Sequence, residues 1–234
     1  MTGNDWIKIN GVSSDTVNIW VDTPPAPPMP KRRVTISQTG IEEDAAVKEN
    51  SYENSTLNVV CYSFYPEDFD NSDIYSYILG ARTIELSRQQ GWYYKVRNVT
   101  CNNPAVSADG ARLKYTFAFQ VAPFRYKIDN EPEVMTGNVI DITNECNFFS
   151  RPRIELTATG DITFDCNGEY FYLYGCPEDS EVIIDSERLV TLINNEIVNA
   201  STNGKYPLLN VGANRIAVSG TCSNVTIYKN ERKV

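Results

Sequence analysis

The chain has 234 residues, 41% of them hydrophobic, which is enough for one large core or two modest cores. Its formal net charge of -9, from 30 acidic and 21 basic side chains, argues against specific nucleic-acid binding, because phosphate contacts need clustered cations. No apolar run approaches the roughly 20 residues of a membrane helix, and the start of the chain lacks the regions of a signal peptide. We therefore expect no membrane partner, and a protein that folds in the cytosol of the cell that makes it.

The absence of histidine removes most enzyme classes from consideration. Without it there is no Ser-His or Cys-His nucleophile pair and no His-ligated zinc. Two segments begin like calcium loops, Asp68 to Ser72 and Asp165 to Gly168, but position 12 is Leu79 or Cys176 where such a loop needs Glu. Carboxylate pairs at glycosidase spacing arise by chance among 30 acidic residues. We predict no catalytic, cofactor-binding or metal-binding residue, no cofactor, and a protein that is not an enzyme.

Six cysteines could form three disulfides, but none lies in a Cys-x-x-Cys pair and no export signal indicates an oxidising compartment. We expect mostly buried free thiols. Pairing of Cys166 with Cys176, which flank one predicted hairpin, stays open. The full set is Cys61, Cys101, Cys146, Cys166, Cys176 and Cys222.

The N-terminal segment predicts two short strands, Trp6 to Gly11 and Val17 to Val21, followed by a proline-rich stretch. Five prolines between Asp22 and Pro30 disfavour sheet pairing and favour an extended polyproline segment, which forms a connecting loop or arm. A proline-rich ligand for a partner's groove is the alternative interpretation. We interpret the basic cluster Lys31 to Arg33 as the solvent-exposed start of a strand.

Further strands are predicted on both sides of a polar stretch. Arg33 to Gln38 and Ser55 to Tyr62 have strand composition, and Glu42 to Asn54 separates them as a connecting segment. After a helix come two more strands, Arg82 to Ser87 and Trp92 to Val99.

The one predicted helix is short. Residues 70 to 73 offer N-caps, Gly80 can end the helix, and Ile74, Tyr77 and Ile78 fall on one face at i, i+3 and i+4. We expect this face to cover one end of a sheet.

The clearest strand spans Leu113 to Val121, where large apolar residues alternate strictly with Lys, Thr, Ala and Gln. It is expected to end within Ala122 to Tyr126.

The C-terminal third predicts a compact antiparallel sandwich. Arg151 to Leu156 and Asp161 to Cys166 alternate, and Asn167-Gly168 suits a type I′ hairpin turn into Glu169 to Tyr174. Later elements are Val182 to Ser186, a hairpin around Asn194-Asn195, Tyr206 to Ile216 and Val225 to Tyr228.

One strand of this sandwich places its aromatic residues on a single face. Alternation sends Tyr170, Tyr172 and Tyr174 to one side and Phe171 and Leu173 to the other. If the apolar side is the core, the tyrosines line an outer surface. That surface is either a half-covered sheet face or an assembly contact.

Several short motifs resemble the distal tail protein family of bacteriophages with long, non-contractile tails. Arg-Pro-x-Ile and Thr-Gly-Asp-Ile-Thr lie within residues 151 to 163, Ile-Ile-Asp-Ser at 183 to 186, and Tyr-Pro-x-Leu-x-x-Gly-x-Asn-x-Ile at 206 to 216. The Phe-x-x-x-Pro-Phe-x-Tyr ending at 119 to 126 resembles the last strand of that family's ring-forming domain. With the helix and the Trp92 strand in the same order, the resemblance spans nearly the whole chain.

The resemblance implies a mainly β protein of two β-sandwich domains. Residues 1 to 145 would form a ring-building sandwich with one short helix, and residues 146 to 234 a galectin-like or jelly-roll sandwich. The implied function is structural, as a hexameric hub at the distal end of the tail.

The partners implied are further copies of the chain, the tail tube protein, the tail tip or tail-associated protein and a receptor-binding protein. The implied location is the virion tail tip, after assembly in the host cytoplasm. The alternative from another class is a monomeric carbohydrate-binding β-sandwich module.

Overall fold

The structure is a computed structural model that describes residues 5–23, 25–37, 45–64, 71–108 and 110–234. The chain divides into two compact units, 1–128 with Val234 and 129–233. This division falls before residue 145, the boundary that the family resemblance implied. Residues 129–145 group with the second unit because both of their strands, Glu133–Val134 and Val139–Asn144, pair with strand Gly212–Tyr228.

In its described residues the first unit contains ten strands and one α-helix, α1 (Ser72–Leu79). The strands are β1 (Ile7–Ile9), β2 (Val12–Ser13), β3 (Trp20–Thr23), β4 (Arg32–Ser37), β5 (Ala45–Tyr52), β6 (Ser55–Phe64), β7 (Thr83–Leu86), β8 (Trp92–Cys101), β9 (Ala105–Val106) and β10 (Arg112–Lys127).

An antiparallel sheet in the order β2-β1-β7-β8-β10-β6-β3 forms the main layer of this unit. Its central strand β10 pairs with β6 on one side and with β8 on the other, and β9 also pairs with β10. The alternation predicted for Leu113 to Val121 is confirmed, because every apolar member is buried and the core is dominated by Tyr115, Phe117 and Phe119.

β10 continues beyond its expected end, to Lys127. Its register with β8 shifts between Val121 and Arg125, so the strand bulges where Pro123 cannot donate a ladder hydrogen bond. Pairing with β8 resumes after the bulge, at Arg125 opposite Tyr94.

Two predictions for this unit need correction. The stretch Val17 to Val21 is not one strand, because a 3-10 helix occupies Ser14–Val17 and Asn18 takes a left-handed conformation (φ 57°) before β3 starts. The stretch Glu42 to Asn54 is not only a connection, because β5 lies within it and pairs with β4. Residues 38–44 lie outside the described residues.

The helix covers the core as expected. Ile74 and Ile78 are buried and Tyr77 packs against the same cluster. Asn71 precedes the helix, but its side chain does not cap it, since Asn71 Oδ1 accepts a hydrogen bond from the Tyr115 hydroxyl instead. The proposed cap at Asp70 lies outside the described residues.

The second unit contains β11 (Glu133–Val134), β12 (Val139–Asn144), β13 (Arg153–Cys166), β14 (Glu169–Asp185), β15 (Val190–Ile193), β16 (Glu196–Ile197), β17 (Gly212–Tyr228) and β18 (Arg232–Lys233). Its main sheet runs β11-β17-β13-β14-β15-β16, with β12 also paired to β17. β13, β14 and β17 are long continuous strands, whereas the sequence suggested two shorter strands in each of their places.

Bulges bend these long strands so that both halves bury residues in one core. The register between β13 and β14 shifts around Gly160, which has a φ of 72°, a backbone conformation suited to glycine. The core combines residues from both halves of each strand, including Ile154, Phe164, Phe171, Ile184, Ile216 and Ile227. The mainly β class, with one short helix in the first unit and sheets that curl into sandwiches, is confirmed.

Both predicted hairpin turns have the required backbone conformation. Asn167 and Gly168 have φ values of 56° and 87°, and Asn194 and Asn195 have 50° and 68°. Positive φ at both central residues is the signature of a type I′ turn. In the first turn Asp165 Oδ1 accepts a hydrogen bond from the Gly168 N–H at 2.7 Å. The resemblance of Asp165 to Gly168 to a calcium loop therefore reflects a hairpin turn.

Candidate interaction surface

The three tyrosines of β14 form a row on the outer side of the second unit, with Tyr170 and Tyr174 exposed and Tyr172 half-buried between them. Phe171 and Leu173 between them are buried, as alternation predicted, whereas Tyr170 and Tyr174 are 46% and 50% exposed. The rings of Tyr170 and Tyr172 stack with centroids 6.2 Å apart, and those of Tyr172 and Tyr174 with centroids 6.1 Å apart. The row is thus an ordered aromatic strip.

The neighbouring strand β13 adds polar side chains to this surface. Asp165 lies directly opposite Tyr170 and Thr163 directly opposite Tyr172, and directly opposed residues share one face of a sheet. Asp161 is exposed, and its Oδ1 accepts a hydrogen bond from the Gly175 N–H at 2.8 Å. We call this surface the tyrosine face: Tyr170, Tyr172 and Tyr174 with Asp161, Thr163 and Asp165.

Asn203 covers the outer edge of β14 beside the tyrosine row. Its Nδ2 donates to the Tyr170 carbonyl (2.8 Å) and its Oδ1 accepts from the Tyr172 N–H (3.2 Å). The Asn203 N–H also donates to the Tyr172 carbonyl (3.3 Å). One residue therefore satisfies three edge groups that an exposed strand would offer to another chain. No sequence pattern indicates this role for Asn203, because a single asparagine in a loop carries no periodic signal.

A pocket of about 440 Å³ lies between the Asn167 turn and the loop 205–210, with Glu169, Lys205 and Tyr206 in its wall. Cys166 is also in the wall, and its thiol donates to the Leu208 carbonyl at 3.0 Å. Burial raises the pKa of this thiol above its ordinary value, so the thiolate needed for nucleophilic attack is disfavoured. The pocket therefore offers polar contacts but no activated nucleophile.

All six cysteines lie in the described part of the chain and none takes part in a disulfide. The open alternative of a Cys166 and Cys176 bridge is wrong because of strand register. Cys166 lies opposite Glu169, whereas Cys176 lies opposite Gly160 on the far side of the bulge. The bend in the hairpin thus keeps the two thiols apart.

Catalytic and metal-binding sites were not expected, and the described residues contain no group of three or more Cys, Asp or Glu side chains arranged to hold a metal ion. Across residues 5–23, 25–37, 45–64, 71–108 and 110–234, no helix is long and apolar enough to cross a membrane.

Two features of the first unit could also contact partners. The hairpin β4–β5 forms a two-stranded sheet, and among the described strands its members pair only with each other. At the sheet edge formed by β3, Trp20 and Phe64 make an exposed edge-to-face pair with centroids 4.8 Å apart. No local sequence pattern indicates this pair, because its members are 44 positions apart and the pairing of β3 with β6 brings them together.

The predicted basic cluster and proline-rich stretch lie next to each other. Lys31, Arg32 and Arg33 are exposed, and β4 begins at Arg32. Residues 25–31 have no regular secondary structure, in agreement with the predicted loop or arm. The side chain of Met29 is 85% exposed.

The chain is similar to solved protein structures in its fold but not to known protein sequences. No protein-family model matches the chain, and no curated protein sequence matches it. The fold is similar to that in the crystal structure of the SPP1 Dit (gp 19.1) protein, described as a paradigm of the hub adsorption apparatus in phages that infect Gram-positive bacteria. The TM-score is 0.69 at 12% sequence identity, over 99% of this chain and 100% of that chain.

Proposed function

We propose that this chain is a structural component of a phage tail that forms a hexameric hub at the distal end of the tail. The hub would join the tail tube to the tip complex and the receptor-binding apparatus. The observation that carries the proposal is the fold similarity to SPP1 Dit over essentially both whole chains. A shared fold that covers both units argues for a shared architecture more strongly than a match of one common sandwich would.

The first unit supplies surfaces suited to self-assembly. A two-stranded hairpin is marginally stable alone, so the hairpin β4–β5 gains stability if a neighbouring subunit packs against it. The edge strand β3 and the exposed Trp20–Phe64 pair offer a second contact of the kind enriched in interfaces. We assign the principal ring contacts to this unit and contacts with the tip mainly to the second unit.

Electron microscopy of the purified chain, together with its mass in solution, tests the proposal. We expect sixfold rings, either alone or on addition of the tail tube protein. A chain that remains monomeric at high concentration, with and without tube protein, would contradict the hub and favour the carbohydrate-binding module.

A matched pair of variants locates the ring contact. Trp20→Ala with Phe64→Ala removes the exposed aromatic pair of the first unit and should weaken ring formation. Ile197→Ala removes a side chain that is 69% exposed in the second unit and should leave the rings intact. If only the second-unit change disrupts rings, the roles assigned to the two units are wrong.

A further inference from the structure

We propose that the tyrosine face binds the proline segment, residues 25–31 with the adjoining Arg32 and Arg33, of a second copy of the chain. The inference rests on the proposed function insofar as it requires self-assembly, and it adds a partner for the tyrosine face. The starting observation is that Tyr170, Tyr172 and Tyr174 share one side of β14, where Tyr170 and Tyr174 are exposed and Tyr172 is half-buried.

The hydrogen bonds at β14 decide how a partner can bind there. A partner that added a strand to the sheet would need the outward N–H and C=O groups of β14. Asn203 already forms hydrogen bonds with the Tyr170 carbonyl and with both the N–H and the carbonyl of Tyr172. A partner must therefore bind the side chains of the tyrosine face. This favours a ligand that does not add a strand to the sheet.

A polyproline segment is such a ligand. It has no internal backbone hydrogen bonds to exchange, is already extended, and docks on aromatic-lined surfaces in several recognition modules. Such a helix rises about 3.1 Å per residue, so about four residues cross three rings spaced about 6 Å apart. Residues 25–31 are long enough for this contact.

The spacing of the prolines fits the same mode. Polyproline II has three residues per turn, so residues three apart lie along one edge. Pro25 and Pro28 form one such pair and Pro27 and Pro30 a second, overlapping pair. Pro27 is exposed and Pro25, Pro28 and Pro30 are half-buried, so part of each of two neighbouring edges is accessible for contact with a flat aromatic strip.

Charges on the two surfaces are complementary. The outer side of the sheet carries the carboxylates of Asp161 and Asp165, and on the next strands Asp141 lies opposite Arg215. Three carboxylates against one guanidinium leave this surface acidic. The proline segment ends in the exposed cations Lys31, Arg32 and Arg33. Attraction between the two would be strongest at low salt.

The geometry of such a contact also matches a ring. Every copy has one proline segment and one tyrosine face, so the contact joins two different surfaces and is heterologous. Repeated heterologous contacts generate a ring when the rotation closes. The occupant is therefore present at equal stoichiometry in any assembly of this chain, which is why we favour it over a polysaccharide that stacks on the same tyrosines.

A peptide-binding measurement tests the contact. The full-length chain with Pro25, Pro27, Pro28 and Pro30 replaced by Ala has its own segment disabled and is titrated into a fluorescent peptide of residues 22–33. We expect binding with a Kd on the order of 100 μM that weakens at least about tenfold with Tyr170→Ala, Tyr172→Ala and Tyr174→Ala together. The triple Tyr→Phe variant keeps the three aromatic side-chain rings and should bind the peptide nearly as well. Ile197→Ala is the control for a change at an unrelated exposed residue.

Several outcomes would overturn the inference. They are no peptide binding at about 1 mM, equal binding of a peptide with its prolines changed to Ala, or equal binding to the triple Tyr→Ala variant with its native circular dichroism retained. Binding of cell-wall polysaccharide tighter than about millimolar and dependent on the tyrosines, without peptide binding, would assign the surface to a carbohydrate instead.

Cross-linking identifies which copy supplies the segment. A photoreactive residue at Met29, in a mixture of isotopically light and heavy chains, should give mixed cross-links to residues 169–181. Exclusively unmixed cross-links would exclude a second copy. Sixfold rings without peptide binding would contradict this inference but not the proposed hub function. Peptide binding by a chain that forms no sixfold ring would contradict the hub function but not this inference.

Discussion

At the scale of single residues, buried polar side chains fix loops that apolar packing alone would leave unspecified. Asn214 is 3% exposed and uses its whole amide group. Its Oδ1 accepts from the Asn210 N–H (2.7 Å) and from Asn167 Nδ2 (2.8 Å), and its Nδ2 donates to the carbonyls of Asn210 (2.9 Å) and Gly212 (2.8 Å). One side chain thereby ties the start of β17 to the hairpin turn at Asn167.

Asn214→Ala should therefore destabilise the second unit by about 3 kcal/mol, since it removes four partly buried hydrogen bonds at once. Hydrogen exchange of peptides from β13 and β17 measures this loss. Asn138→Ala, in the same unit but exposed, should change stability by less than about 0.5 kcal/mol. Equal protection in the two variants would show that the Asn214 network contributes little.

Buried thiols make the stability of the first unit depend on pH. Burial raises the pKa of Cys61 from 9.0 to about 12, with smaller contributions from Asp22 and Cys101. The folded state therefore keeps its proton at pH values where the unfolded chain loses it. This contribution to stability is complete below pH 9 and is lost as pH rises from about 9 to about 12.

Between pH 9 and 11, the free energy of unfolding of the parent should fall about 1.4 kcal/mol per pH unit more steeply than that of Cys61→Ala. Urea denaturation followed by tryptophan fluorescence reports on this unit, because Trp6, Trp20 and Trp92 all lie within residues 1–128. Parallel pH profiles for the two proteins would mean that Cys61 ionises in the folded state much as it does in the unfolded chain.

At the scale of elements, bulges convert long strands into curved ones. The register between β13 and β17 shifts between Thr159 and Thr163, where Gly220 approaches Asp161. Gly220 has a φ of 109°, and a Cβ atom there would collide with the Asp161 carbonyl oxygen and lie 2.8 Å from Ile162 Cδ1. The glycine thus allows two strands to approach closely at the bend.

Gly220→Ala should destabilise the second unit by about 3 kcal/mol, because the obstructing atom belongs to the backbone and the bend cannot relax without losing register. Gly204→Ala is the matched control. Gly204 also has positive φ (73°), but no atom lies within 4 Å of its added Cβ, so we expect a cost of only about 1 kcal/mol. Denaturation that ranks the two variants equally would show that backbone conformation, and not the close approach, sets the cost.

At the scale of the whole molecule, charge constrains what an assembly of this chain can contact. Six copies with a formal charge of -9 each would carry -54. Over a Debye length of about 8 Å at physiological salt, only residues that face a channel act on a molecule passing through it. In the proposed hub we expect an acidic or neutral bore, because cations there would retain the phosphates of DNA.

Purified rings should therefore show no retention of duplex DNA at about 150 mM salt in a gel-shift or filter-binding measurement. The variant Lys31→Glu with Arg33→Glu is expected to behave identically towards DNA. Binding with a steep salt dependence that this variant abolishes would place the basic cluster at a DNA-binding surface and overturn the prediction.

Local patterns in the sequence determined the mainly β class, the helix α1, the buried side of β10, the outward tyrosines of β14, the type I′ turn at Asn167 and the hairpin at Asn194. Each of these depends on side-chain periodicity or backbone preference within a few residues, so neighbours in sequence suffice. Pairing between strands that are distant in sequence determined three further features. These are the boundary at residue 128, the strand β5, and the joining of predicted short strands into β13, β14 and β17. A strand continues through a bulge, as β13 does at Gly160, only when its partner strand is in place. Likewise, Asn203 covers the edge of β14 because the tertiary fold brings positions 170 and 203 together, a contact that no local pattern specifies.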